Sequence, residues 1–239
     1  MNTFKYLMLY FFQDYKRSYK YIAPLLVYIV LISAMYSNKP AYVMSSYAVT
    51  CICIYAISAW LSFGFIDNEY VVQQQLTILH IKNENIYYLC KVLFMWSFIL
   101  ILDIFTVYYP ILNGAFIRKV VISDIIIALI SHAIVGFLGI TVGSLFSSRL
   151  VKDRKMAILF LNLLIIVSTM EKPIVQSFPF LKWIGVILPP AYLMIDKIGS
   201  IDYINIGNIF NIIFTFAIGL IYLLILIILF IKCMKKKLF

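Results

Sequence analysis

Asp103 and His132 are the residues of this sequence best placed for acid–base chemistry, since each is the single carboxylate or imidazole inside a long apolar run. A charged group in hydrocarbon costs a few kcal/mol even on lenient insertion scales, so each should have a partner. Asp103 lies about seven residues below Pro110 and His132 about eight below Asp124, which puts both ~10 to 12 Å in from the same membrane face. They are expected to pair between adjacent spans, as a bond that fixes helix packing or as a proton or substrate site. A membrane enzyme would need more than this, because catalysis needs several acids, bases or ligands converging at one depth. There is no G-x-x-x-x-G-K-[ST] phosphate loop, no H-E-x-x-H and no paired acidic motif. The chain is therefore expected to carry no catalytic residues, no metal site and no bound cofactor. Cys51, Cys53, Cys90 and Cys233 show no disulfide framework.

The elements that hold these two residues are membrane helices. Of 239 residues, 64% are hydrophobic and 13% charged, and the mean hydropathy is +1.00, far above that of a soluble domain. A helix crossing ~30 Å of hydrocarbon needs about 20 apolar residues. Uncharged windows of that kind predict six spans, at about 20–37, 42–65, 91–112, 125–147, 156–171 and 208–231, in a single membrane domain over 1–239. The fifth window, Met156 to Met170, would reach only ~22 Å and must snorkel its flanks, thin the bilayer or continue past Lys172. The first apolar run, Tyr21 to Tyr36, meets no small-residue cleavage pattern before Lys39 and is expected to be retained as an anchor.

With the N-terminus inside, six basic residues fall outside: Lys39, Arg118, Lys119, Lys172, Lys182 and Lys197. The other fourteen of the twenty Lys and Arg fall inside, which predicts a plasma-membrane protein with both termini in the cytoplasm. Arg118-Lys119 is a mild violation of that rule. The net charge of +10 is thus topological; the basic residues flank apolar runs and form no stripe that would bind nucleic acid.

Three segments are not spans. Phe4, Leu7, Met8, Phe11, Phe12 and Tyr15 recur at helical spacing, which predicts a helix over about 3–17 lying in the membrane interface. Asp67 to Lys91 is polar enough to leave the membrane, yet Val71, Val72, Leu76, Leu79 and Ile86 would line one side of a short helix. Glu171 to Asn208 holds four prolines and apolar pieces too short to cross, which predicts an outer segment that dips in and returns.

In the fourth span His132, Gly136, Gly139, Gly143 and Ser147 share one helix face, and Gly139 with Gly143 makes a G-x-x-x-G. Small residues admit a neighbouring backbone closely, so this face should meet protein, within the chain, at a subunit interface or along a pathway wall. The 18 tyrosines and 19 phenylalanines read mostly as interfacial belts and lipid-facing bulk.

This arrangement resembles the membrane subunits of ABC exporters of the type-2 permease family. Its most specific local piece is Gln73-Gln74-Gln75-Leu76-Thr77-Ile78-Leu79-His80-Ile81-Lys82-Asn83-Glu84-Asn85-Ile86, followed by Lys91. It is similar to that family's leucine-rich coupling helix between spans two and three, with His80-Ile81 where many members carry a proline. Leu188-Pro189-Pro190-Ala191-Tyr192 with Asp196 resembles the proline-containing segment before the last span. The resemblance implies two permease subunits, identical or related, enclosing a pathway in membrane lipid. It also implies a cytoplasmic ABC ATPase subunit that binds ATP and Mg and pushes on Gln74, Gln75, Leu76, Leu79, His80, Lys82, Asn83 and Glu84. A hydrophobic or amphipathic cargo, such as a peptide, lipid or drug, suits the scarcity of intramembrane charge. The alternatives are a non-transporting immunity or sensor subunit and, with less support from the residues, a polytopic membrane enzyme.

Overall fold

The structure, a computed structural model, describes residues 2–147, 150–178, 180, 185, 188–200 and 206–237. Four helices are each long and apolar enough to cross a membrane: α3 (Val43–Ile66), α5 (Glu84–Leu112), α6 (Ile122–Leu145) and the 210–235 stretch of α10 (Ile206–Lys235). Two bent pairs pass the same test jointly. They are α1 (Asn2–Ser18) with α2 (Ile22–Met35), bent by 82°, and α7 (Arg154–Thr169) with α8 (Glu171–Ser177), bent by 77°. With α4 (Val71–Ile81) and α9 (Ala191–Gly199) there are ten helices among the described residues. By helix length and hydropathy the chain is a candidate multi-pass membrane protein with four to six spans.

The centre of the bundle is the α3–α6 pair, and the sequence explains why these two helices approach so closely. A Cβ at Gly139 would collide with Ser58 Oγ and the Tyr55 carbonyl, and one at Gly143 with the Ala59 carbonyl and Ser62 Oγ. Ser58, Ala59 and Ser62 thus form the small counter-face on α3, and backbones meet where larger side chains would hold them apart. A Cβ at Gly136 would press on Ile99 of α5 at 2.8 Å. Ser147 sits just past α6, buried, with its Oγ 4.0 Å from Met234 Sδ on α10. The small-residue face therefore serves packing within the chain.

Helix ends follow from local chemistry. Asn83 caps α5 by accepting from the Ile86 N–H (3.2 Å), and Lys82 before it adopts φ +57°, which ends α4. The helix expected from residue 91 consequently starts at Glu84. Asp153 caps α7 through the Lys155 N–H (2.9 Å). Asp124 accepts from the Val121 N–H (3.0 Å) at the start of α6 and pairs with Arg118 (2.6 Å), giving that basic residue a partner on its own side of the bundle. Nearby, Ala41 and Phe116 form an isolated bridge that laces the α2–α3 connection to the α5–α6 connection.

The apolar face of α1 is turned towards protein: Leu7, Phe11 and Tyr15 are buried in the main core, while Phe4 and Phe12 stay exposed. Six of the largest fully buried side chains are tyrosines, Tyr28, Tyr36, Tyr47, Tyr55, Tyr87 and Tyr88, so these six are exceptions to the general reading of tyrosine as belt or lipid-facing bulk. Each of these six hydroxyls has a polar partner, such as the Val107 carbonyl for Tyr47 (3.1 Å) and Ser168 for Tyr55 (3.2 Å), in keeping with the cost of an unpaired buried hydroxyl.

In the segment after α7, α8 and α9 are described, and α9 buries Ala191, Met194 and Ile198 against the bundle. Most of 179–187 and all of 201–205, where the chain was expected to dip and return, lie outside the described residues.

Candidate functional site

Polar chemistry gathers at two places. The first lies where α3 hands over to α4. Glu69, in that connection, and Lys91, one turn and more into α5, form an ion pair at 3.0 Å with both side chains 2% exposed. Tyr10 of α1 donates to Glu69 Oε1 (2.7 Å), Tyr87 donates to Oε2, and Gln73 of α4 donates to the Tyr10 hydroxyl (2.8 Å). The Lys91 ammonium lies 5.5 to 5.9 Å from the ring centroids of Tyr87, Phe65 and Phe11, within the range of cation–π attraction. Burial by itself pushes the Glu69 carboxyl up, but the Lys91 charge and the hydrogen bonds from Tyr87 and Tyr10 outweigh it, holding the carboxyl below the usual range. One carboxylate thereby joins α1, the end of α3 and α5.

The second place is the α5–α6 contact. Asp103 Oδ1 and His132 Nδ1 face each other at 3.4 Å, with side chains 2% and 0% exposed. They are brought together across adjacent helices, as their matched depth predicts. The alignment does not make a hydrogen bond, and both atoms lack one among the described residues. The far side of the imidazole is better served: Thr50 Oγ1 of α3 lies 2.9 Å from Nε2, and the Tyr47 ring meets the imidazole edge to face. Among the described residues no three His, Cys, Asp or Glu side chains cluster as a metal site would need.

The residues expected on the coupling segment divide by helix face. Val72, Leu76 and Leu79 point outward at i, i+4, i+7, with Leu76 63% and Leu79 60% exposed. Gln74 and Ile78 point inward, and Gln74 donates to the Tyr88 hydroxyl (2.9 Å). Gln74 therefore seats α4 on α5 and presents nothing outward. Gln75 is half-buried and His80 exposed. Exposed Lys82 and Asn83 make the turn between α4 and α5, and Glu84 lies 3.6 Å from Lys235 on α10.

Sequence reasoning missed Glu69 and read Lys91 as a flanking charge at a membrane boundary. The available signal was weak: Glu69 and Lys91 are separated by 22 positions, and the rings around Lys91 come from α1, α3 and α5. Comparison with protein-family models, with curated proteins and with solved structures returns no match.

Proposed function

We propose that this chain is the membrane-spanning subunit of an ATP-driven exporter of the type-2 ABC permease kind. In this reading α2, α3, α5, α6, α7 and α10 are six spans, both termini are cytoplasmic, and α1 lies at the cytoplasmic interface docked on the bundle. α4 is the coupling helix. Two such subunits, identical or related, enclose the pathway, and separate ATPase subunits bind ATP and Mg. The cargo is hydrophobic or amphipathic, in keeping with a bundle whose buried charges are already paired or facing one another.

The observation that carries the reading is the outward stripe Val72, Leu76 and Leu79 on a helix whose inner face is fastened down. A permease without a phosphate loop must receive mechanical work by contact. A lever suited to that has an apolar face free for the partner and a back that does not slip. The Glu69–Lys91 node and the Gln74–Tyr88 bond supply the back. Burying a leucine fully contributes about 1.5 to 3 kcal/mol, so Leu76 and Leu79 together suffice to decide whether a partner stays bound.

The test is co-purification of an ATPase subunit, together with transport, for Leu76→Ala/Leu79→Ala and for Asn113→Ala at the opposite end of α5. The double variant is expected to insert normally, to release the ATPase and to lose transport. If it keeps partner and transport at the control's level, α4 is not the coupling element and a non-transporting membrane role becomes the better reading.

A further inference from the structure

A cleft of about 640 Å³ opens between α2, α3 and α7. Its lining runs from Lys20 to Leu31 along the α2 side, from Gly64 back to Cys53 on α3, and from Arg154 to Ile165 on α7. Each wall covers about eleven positions, or ~16 Å at 1.5 Å per residue. Hydrocarbon is ~30 Å thick, so the cleft has the depth of one leaflet. Its two cations, Lys20 and Arg154, both line the shallow end, and the deeper lining is mainly apolar, with Asn162 and Tyr28 among it. Neither cation forms an ion pair with any described carboxylate.

The occupant must match three features: an anionic head, an apolar body and a length of one leaflet. We infer that the α2–α3–α7 cleft binds an anionic phospholipid of the leaflet on the basic-rich side, with its phosphate between Lys20 and Arg154 and an acyl chain along the cleft. That side is the cytoplasmic one by the excess of basic residues, where anionic lipids supply the counter-charge and basic pockets between membrane helices take their head groups. A free anion would satisfy the two cations but leave the apolar walls uncovered. A neutral lipid would cover the walls and leave the cations without a counter-ion. The inference does not depend on the exporter reading, because binding is measured on the purified chain without an ATPase.

The test measures lipid retention by native mass spectrometry after extraction in mild detergent. The probes are palmitoyl-oleoyl phosphatidylglycerol and the phosphatidylcholine with the same chains. Each basic residue near an anionic surface contributes on the order of 1 kcal/mol, so phosphatidylglycerol should be preferred about 10- to 30-fold. Lys20→Gln/Arg154→Gln should abolish that preference, whereas Lys236→Gln/Lys237→Gln, outside the cleft, should keep it. Ala56→Trp, which fills the cleft from α3, should reduce retention of both lipids. Millimolar inorganic phosphate should not displace the lipid. Equal retention of the two lipids by the unaltered chain would overturn the inference. So would a preference that survives Lys20→Gln/Arg154→Gln, or displacement by inorganic phosphate, which would mark a soluble-anion site.

Discussion

The bundle buries two acid–base pairs, Glu69 with Lys91 and Asp103 with His132, and completes them differently. Glu69 accepts from Lys91, Tyr87 and Tyr10, and three aromatic rings surround the ammonium. Asp103 and His132 are as deeply buried, yet their facing atoms stop at 3.4 Å without a hydrogen bond. The first pair lies at the junction of α1, α3 and α5, where each helix contributes a polar or aromatic group. The second lies in the α5–α6 contact, where α3 lends polar support through Thr50. A saturated pair fixes geometry, because any movement breaks several bonds at once. An unsaturated pair instead leaves buried polar atoms without a hydrogen bond, which costs stability where water is excluded.

Removing one member of the saturated pair should have the largest effect. Lys91→Met strands Glu69 in an apolar setting, and breaking a buried pair in this way typically costs about 3 to 5 kcal/mol. Unfolding in mixed micelles should show that loss, and Glu69→Gln/Lys91→Met should recover much of it. A single variant that loses under ~1 kcal/mol would show that the pair does not fasten this end of the bundle.

The unsaturated pair should give less. Asp103→Asn and His132→Ala should each destabilise modestly and combine non-additively, with a coupling of about 1 kcal/mol. A coupling as large as that of Glu69 with Lys91 would erase the distinction between the two sites, and strictly additive effects would show that the second pair does not interact.

Acid offers a smaller, graded perturbation of the first pair. The Glu69 carboxyl is held below its ordinary value of 4.5 in the fold, so its stabilisation is complete above that value. It is lost as pH falls through the lower, folded value. Stability of the unaltered chain should therefore drop below pH 4.5 more steeply than that of Glu69→Gln; identical profiles would remove Glu69 from the acid response. The smallest effect belongs to Leu76→Ala/Leu79→Ala, whose side chains are exposed: each change should alter the stability of the isolated chain by about 0.5 kcal/mol or less. A large loss there would mean that the stripe is covered within the chain itself.

What the sequence reveals of this molecule depends on whether a feature is carried by one helix or assembled from several. The Gly136, Gly139 and Gly143 stripe is legible because three- and four-residue steps alone place it on one face. Asp103 and His132 could be matched in depth because both lie in unbroken apolar runs. Glu69 was hidden because Asp67-Asn68-Glu69 has the composition of a solvated turn, and its burial depends on Tyr10, Tyr87 and Lys91 arriving from elsewhere. The α1 stripe shows a related limit. Periodicity reports that Leu7, Phe11 and Tyr15 share a face, but not whether lipid or protein covers it.

The docking of α1 also constrains the order of assembly. Phe11 makes ring contacts with Phe65, Tyr87 and Phe94, and Tyr15 with Phe65, Phe94 and Phe98. During synthesis α1 therefore has no complete seat until the chain has been made well beyond residue 98. In the interval its apolar face has only the membrane surface to rest on. A nascent chain arrested near residue 70 should leave α1 accessible to protease at the bilayer surface, and one arrested after α5 should protect it.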